Sequence, residues 1–150
     1  MDAIDRSLLA ELQRDARVSL NELSRRINLS APAVATRVRR LERGGVITGY
    51  HAHVDPAAAG RGVIALVRMS CYGPNCLLRR HADTVREWAE VLQVHRVTGD
   101  ACCLLMVAVP TMADFQALID RLAEHGKPSS TMVLSSPVAW RPVEPPEVSV

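Results

Sequence analysis

The 150-residue sequence predicts an α+β protein in which a small helical head precedes a four-stranded antiparallel sheet. Three observations favour this fold class. Residues 19–43 carry two capped helices joined by a short turn, and residues 55–60 contain a proline and a glycine that mark a boundary. The rest of the chain follows the order strand, helix, strand, strand, helix, strand. We therefore expect two domains, 1–55 and 56–150.

The head is predicted to contain three helices. The first runs from about Asp2 to Asp15, with apolar residues at helical spacing and two aspartates at the positive end of the helix dipole. The second begins at a capping box, in which Ser19 caps the helix and Glu22 reaches back to the cap. Its apolar face is expected to comprise Leu20, Leu23 and Ile27.

The third helix is predicted over residues 31–43. Ser30 is a favourable N-cap, Pro32 fits the first turn because an N–H is not needed there, and Gly44-Gly45 ends the helix. Helical geometry, at roughly 100° per residue, gives the helix a narrow buried stripe of Val34, Val38 and Leu41.

The exposed face of this third helix is predicted to bind double-stranded DNA. A hydroxyl group and four arginines lie opposite or beside the buried stripe, and arginine contacts both phosphates and the O6 and N7 atoms of guanine. Docking in the major groove is therefore favoured over a merely solvated basic face. The candidate DNA-binding residues are Ser30, Pro32, Thr36, Arg37, Arg39, Arg40 and Arg43.

The distribution of charge agrees with this division of the chain. The first 50 residues carry nine arginines against six acidic residues, whereas the remainder carries nine basic residues against ten acidic ones. No apolar run approaches the roughly 18 residues of a membrane span, and the N-terminus lacks the order of charges of a signal peptide. We expect a cytoplasmic protein without a membrane segment. The sequence shows no Ser/His/Asp or Cys/His arrangement at a spacing typical of a catalytic site, so an enzyme is not expected.

The second domain is predicted to begin within about four residues of Pro56, after a β-branched segment at 46–54 that favours a wing or an exit strand. Strands are predicted over 63–72, 91–98, 101–109 and 131–138. Helices are predicted over 78–90 and from Pro110 onwards. The second of these helices is expected to bury Phe115, Leu118, Ile119 and Leu122. Because the third strand is apolar at both alternating sets of positions, a second subunit is expected to cover the sheet, which predicts a homodimer. Residues 141–150 are expected to form an extended arm, which either lies over a neighbouring subunit or is disordered.

Together these motifs resemble the Lrp/AsnC (feast/famine) family of transcriptional regulators over nearly the whole chain. The similarity lies in Asp5–Leu12, Leu29–Leu41, Gly45–Tyr50 and the turn Val97-Thr98-Gly99-Asp100. The resemblance implies a winged helix-turn-helix head and a ferredoxin-like βαββαβ sensor domain that dimerises through its sheet and often forms octamers. It also implies an amino acid or related small molecule as effector, bound between sensor domains, and no cofactor.

The same resemblance implies an effector site at the sensor turn. Asp100 is expected to accept the ligand's ammonium group and backbone N–H groups near Gly99 to hold its carboxylate, although Gly-Asp is also a common turn pair. The family usually has a second acid and aromatic residues after this turn, so a different effector, a more apolar pocket or no effector are alternatives. The residues expected to line the site are Gly99, Asp100, Cys102, Ser130 and Thr131.

The chain has four cysteines, Cys71, Cys76, Cys102 and Cys103. Structural packing is the favoured interpretation, because buried cysteine behaves as a small hydrophobic residue. The alternative is a thiol or metal sensor in which His81 or His95 joins Cys71 and Cys76. The sequence as a whole favours a ligand-modulated, sequence-specific transcriptional regulator, with a nucleoid-organising protein or a cysteine-switched regulator as the alternatives.

Overall fold

The computed structural model describes residues 1–71, 76–138 and 140–145. It divides into two compact units, of which the first comprises Met1–His53 with Val138–Val150 and the second Val54–Pro137. In the described residues, no helix has both the length and the apolar character needed to cross a membrane.

Three helices form the first unit: α1 (Ala3–Arg14), α2 (Leu20–Ile27) and α3 (Ala31–Arg43). The bounds of α3 are the predicted ones, because the Ser30 hydroxyl accepts a hydrogen bond from the Ala33 N–H and the Gly44 N–H donates to the Arg40 carbonyl. The helices enclose a core of Leu8, Leu12, Leu23, Val34 and Val38.

The start of α2 differs from the prediction. Ser19 caps the helix by accepting a hydrogen bond from the Glu22 N–H, but the Glu22 carboxylate does not complete the expected capping box. It pairs instead with Arg25 and Arg26 at 2.6 and 3.0 Å, since cationic donors bind a carboxylate more strongly than a neutral N–H does. Leu20, expected on the buried face, is 42 % exposed.

The strand predicted in residues 46–54 is not formed, and residues 44–62 contain neither helix nor strand. A strand needs a hydrogen-bonding partner, and the described part of this unit offers only helices and loops. The N–H groups of Val46 and Ile47 donate instead to the Leu41 carbonyl at the end of α3. The Tyr50 hydroxyl donates to the Glu42 carboxylate at 3.0 Å.

The described part of the predicted C-terminal arm, residues 141–145, has no helix or strand and contacts α1. The Gln13 side-chain amide donates to the Val143 carbonyl at 3.0 Å and accepts from the Val143 N–H at 2.8 Å. The rest of that arm lies outside the described residues, as does Tyr72 at the predicted end of the first strand.

An antiparallel sheet with helices on one face forms the second unit. Its elements are β1 (Val63–Ser70), α4 (Leu77–Arg80), α5 (Ala82–Arg86), β2 (Val91–Arg96), β3 (Cys103–Val109), α6 (Met112–Ala123) and β4 (Lys127–Met132). The strands lie in the order β2-β3-β1-β4. The predicted α+β class and the order of strands and helices are therefore confirmed.

Alternation along the strands gives the sheet two different faces. Val67 and Met69 of β1 are buried with Leu118 of α6 in the core of this unit. On the opposite face, Leu66 of β1 is exposed and lies opposite the half-buried Met106 of β3. The face away from the helices is therefore partly apolar.

Two elements of the second unit differ from the predicted bounds by more than two residues. The helix expected over 78–90 is divided at His81 and ends at Arg86, because the chain turns there to enter β2. The last strand, expected over 131–138, begins four residues earlier and ends six residues earlier, because its register is set by pairing with β1. As an edge strand, β4 tolerates Pro128, which lacks an N–H.

Candidate functional site

The exposed face of α3 carries the residues predicted to contact DNA. Ser30, Pro32, Thr36, Arg39, Arg40 and Arg43 are exposed, whereas Arg37 is half-buried. The hydroxyl groups of this set already have partners within the helix. That of Thr36 donates to the Pro32 carbonyl at 2.9 Å, and that of Ser30 caps the first turn.

Arg39 and Arg43 lie one helical turn apart on this face. Among the residues that the structure describes, neither has a hydrogen-bonding or ion-pair partner for its guanidinium group. Free guanidinium groups suit both bidentate phosphate contacts and the edge of guanine. These two side chains are therefore available to a nucleic acid without breaking a contact inside the protein.

Arg37 and Arg40, in contrast, are tied to the start of α1. The Arg37 Nη1 atom donates to Asp2 Oδ2 at 2.6 Å and to Asp5 Oδ1 at 2.8 Å. The Arg40 Nη2 atom donates to Asp5 Oδ2 at 2.7 Å. The Arg37 side chain is 25 % exposed and that of Arg40 is 61 % exposed. Arg37 thus mainly joins two helices, while Arg40 retains a solvent-facing guanidinium group.

The carboxylate of Asp5, the anchor of these arginines, is 2 % exposed. Burial alone would raise its pKa, but the N–H of Asp2 and the guanidinium group of Arg37 hold the pKa below its usual range. A hydrogen bond from Arg37 lowers the pKa of Asp2 to about 2. Both carboxylates are ionised at neutral pH and fix the arginines on α3. Sequence analysis assigned the two aspartates only to the helix dipole, since their partners are more than 30 positions away.

The predicted sensor turn joins β2 to β3. Gly99 has a φ of 99°, a conformation that favours glycine. The Ser70 hydroxyl donates to the Asp100 carbonyl at 3.2 Å, and the Cys102 N–H donates to the Met69 carbonyl at 2.8 Å. These bonds attach the turn to the end of β1, while the Asp100 residue is exposed.

Only part of the predicted effector set lies at this turn. Thr131 is opposite Leu66 of β1 and Ser130 is opposite Val67, whereas the turn contacts Ser70 at the end of that strand. Because a strand rises about 3.3 Å per residue, Ser130 and Thr131 lie roughly 10 to 13 Å further along the sheet. Within one subunit, the Ser70 hydroxyl adjoins the turn, and sequence analysis did not identify it.

Cysteine sulfurs cluster beside the same turn. Among the described residues, the Sγ atoms of Cys71, Cys76 and Cys102 lie within 4.8 Å of one another. The Sγ atoms of Cys71 and Cys102 are 2.8 Å apart, and that of Cys103 is 3.8 Å from Cys102. Burial raises the pKa of Cys71 to about 12 and that of Cys103 to about 11.

Neither histidine considered as a partner of these cysteines belongs to the cluster of described residues. The ring of His81 lies against that of His125, with 4.4 Å between the ring centroids. The Nε2 atom of His95 lies 3.1 Å from the side-chain oxygen of Gln93. Among the described residues, the three clustered sulfurs therefore have no imidazole ligand beside them.

Two family models match the chain, one over its N-terminal part and one over its C-terminal part. Residues 1–48 match a winged helix-turn-helix DNA-binding domain, and residues 65–143 match an Lrp/AsnC ligand binding domain. The first match contains all three helices of the head, including the basic face of α3. The second contains the whole of β3 with the sensor turn.

Individual proteins are similar over most of the chain. It is 35 % identical to the HTH-type transcriptional regulator YezC of Bacillus subtilis over 136 residues, which cover 91 % of this chain and 95 % of YezC. It is 37 % identical to the leucine-responsive regulatory protein of Escherichia coli over 120 residues, 79 % of this chain and 73 % of that protein. The solved structure of the feast or famine regulatory protein of Mycobacterium tuberculosis complexed with L-methionine matches with a TM-score of 0.87 and 33 % identity, covering 96 % of this chain and 99 % of that one. The chain belongs to the Lrp/AsnC family of DNA-binding transcriptional regulators with an amino-acid ligand domain.

Proposed function

We propose that this regulator binds its operators as a homodimer that places two α3 helices in successive major grooves. One contrast on α3 supports the proposal. Arg39 and Arg43 are exposed and have no partner among the described residues, whereas Arg37 and Arg40 form ion pairs with Asp5. Ion pairs to α1 hold the helix in place, while free cations remain for DNA. Half-sites are then expected about one helical turn apart.

A second copy of the chain is proposed to cover the free face of the sheet. Leu66 is 37 % exposed there, and Leu104 and Met106 are half-buried beside it. An apolar sheet face of this kind is stabilised when another sheet packs on it. Further association of dimers, up to an octamer, would add avidity along a longer stretch of DNA.

The effector is proposed to be an amino acid at the sensor turn. The exposed Asp100 offers a carboxylate to an ammonium group, and the turn backbone near Gly99 offers N–H groups to a carboxylate. Ser130 and Thr131 would join this site from a neighbouring sensor domain. The relatives named above include a leucine-responsive protein and a methionine complex, so leucine and methionine are the first candidates. The protein would act in the cytoplasm on nucleoid DNA, without catalysis.

Titration of the protein onto the DNA upstream of its own gene tests this proposal. The titration is made at fixed salt with excess competitor DNA, alone and with leucine, methionine or each other common amino acid. We expect competitor-resistant binding that one amino acid shifts. The Asp100→Ala variant should bind the DNA equally well and lose the shift. Weak, competitor-sensitive binding would contradict operator recognition, and binding that no amino acid alters would contradict the proposed effector class.

A further inference from the structure

We propose that Cys71, Cys76 and Cys102 form a binding site for a soft, thiophilic metal ion, with copper(I) as the best fit. The three residues come from the chain just after β1, the residue before α4, and the residue before β3. Their Sγ atoms nevertheless lie within 4.8 Å of one another. The site stands on this geometry alone and does not depend on the proposed mode of DNA binding.

The spacing of the sulfurs fits coordination by three thiolates. With a metal–sulfur distance of about 2.3 Å, a trigonal site places its sulfurs about 4.0 Å apart. The Sγ atoms of Cys71 and Cys102, now 2.8 Å apart, would separate by about 1 Å around the ion. Both residues are only half-buried, so their side chains have room for that small rotation.

The number of ligands favours copper(I) over zinc. Structural zinc sites almost always have four ligands, whereas soft thiolate sets select copper(I) as well as zinc. The fourth cysteine, Cys103, is 3.8 Å from Cys102 but fully buried in the core of the sheet, and it does not belong to the three-cysteine group. Among the described residues, the site has three sulfur ligands and no fourth, and such a set suits an ion that accepts three-coordination.

The surroundings of the cluster keep the sulfurs together. A Cβ atom at Gly126 would lie 3.1 Å from the Cys71 Sγ atom and 2.8 Å from the Ser70 carbonyl oxygen. The backbone at Gly126 therefore approaches the sulfur closely and closes one side of the cluster. Cys76, on another side, is 8 % exposed.

Metal binding accounts for all three sulfurs, whereas a disulfide does not. A bond between Cys71 and Cys102 would need an oxidant and would involve only two of the three clustered sulfurs. On metal binding, each ligating thiol releases its proton to solvent, and the cation supplies the positive charge that stabilises the thiolates.

The test is titration of the reduced full-length protein with copper(I), without oxygen and without DNA, against a copper(I) chelator. We expect one ion per chain, an ultraviolet thiolate-to-copper absorption band, and three sulfur neighbours at about 2.3 Å in X-ray absorption. The C71S, C76S and C102S variants should each bind more than about 100-fold more weakly, since loss of a ligand exceeds the roughly 10- to 100-fold cost of losing an outer-shell partner. The matched control, C103A, should keep the band and the affinity.

Failure of the wild-type protein to hold copper(I) against the chelator would overturn the proposal. Fewer than three sulfur neighbours, or equal weakening by C103A, would overturn it as well. A Cys71–Cys102 disulfide in the protein as isolated would assign the cluster to redox chemistry instead. Circular dichroism shows whether each variant is folded. If the serine variants are not folded, the number of sulfur neighbours in the X-ray absorption of the wild-type protein tests the three-sulfur site. Each of these outcomes leaves the DNA titration above unaffected.

Discussion

Replacement of Asp5 by alanine tests whether one buried carboxylate holds α1 against α3. The change removes the acceptor of hydrogen bonds from the Asp2 N–H, from Arg37 and from Arg40. A hydrogen bond to a charged group contributes about 1.5–3 kcal/mol. Breaking a fully buried ion pair costs about 3–5 kcal/mol, but here Arg37 keeps Asp2 as partner and the 61 % exposed Arg40 is rehydrated. We therefore expect the head to lose about 2–3 kcal/mol of stability.

Hydrogen exchange of the full-length protein, measured peptide by peptide, reports the stability of the head and that of the sheet separately. A loss of about 2–3 kcal/mol corresponds to roughly 30- to 160-fold lower protection of α1 and α3. The protection of β1 and β3 should not change. The matched control is Asp83→Ala, which removes a 94 % exposed carboxylate paired with Arg86, and it should leave both units unaltered. Unchanged protection of α1 and α3 in the Asp5 variant would refute the reasoning, and an equal loss in both units would show that the effect is not local.

Three further predictions concern acid stability, DNA contacts and one close approach in the sheet. Because the pKa values of Asp2 and Asp5 are lowered, these carboxylates stabilise the head at pH values above their unfolded-state pKa of about 3.9, and this stability should be lost as the pH falls from about 4 towards 2. A helix signal in circular dichroism that does not change over this range would contradict the prediction. Arg39→Ala and Arg43→Ala should each weaken binding to all DNA sequences and lower the salt slope by roughly one unit, whereas loss of discrimination at a single base pair would identify a base contact instead. Gly126→Ala should lower the midpoint of thermal unfolding, because the new Cβ would lie 2.8 Å from a carbonyl oxygen of β1; an unchanged midpoint would mean that the backbone shifts freely there.

Features encoded by neighbouring residues were predictable from the sequence. The bounds of α3 follow from Ser30, Pro32 and Gly44, each of which acts on backbone groups within one turn. Its buried stripe follows from helical spacing, and Val34 and Val38 lie in the core as expected. The order of strands and helices in the second unit follows from the same kind of local pattern.

Features that depend on distant partners were not predictable in this way. The last strand was expected over 131–138, yet hydrogen bonding to β1 places β4 on mostly polar residues, and it begins four positions earlier. The pairing of Asp5 with Arg37 and Arg40, and the approach of Cys71 to Cys102, join residues more than 30 positions apart. A single sequence contains no periodic signal for such contacts.

The two edges of the sheet determine how copies of this chain can associate. At one edge, Pro128 of β4 removes a backbone donor and Lys127 adds a charge. At the other, β2 has an irregular register between Val91 and Gln93, where an extra residue interrupts the ladder with β3. Neither edge is a regular template for another strand, so polymerisation by continued strand addition is disfavoured. If copies of the chain associate through the sheet, its face is therefore more suitable than either edge.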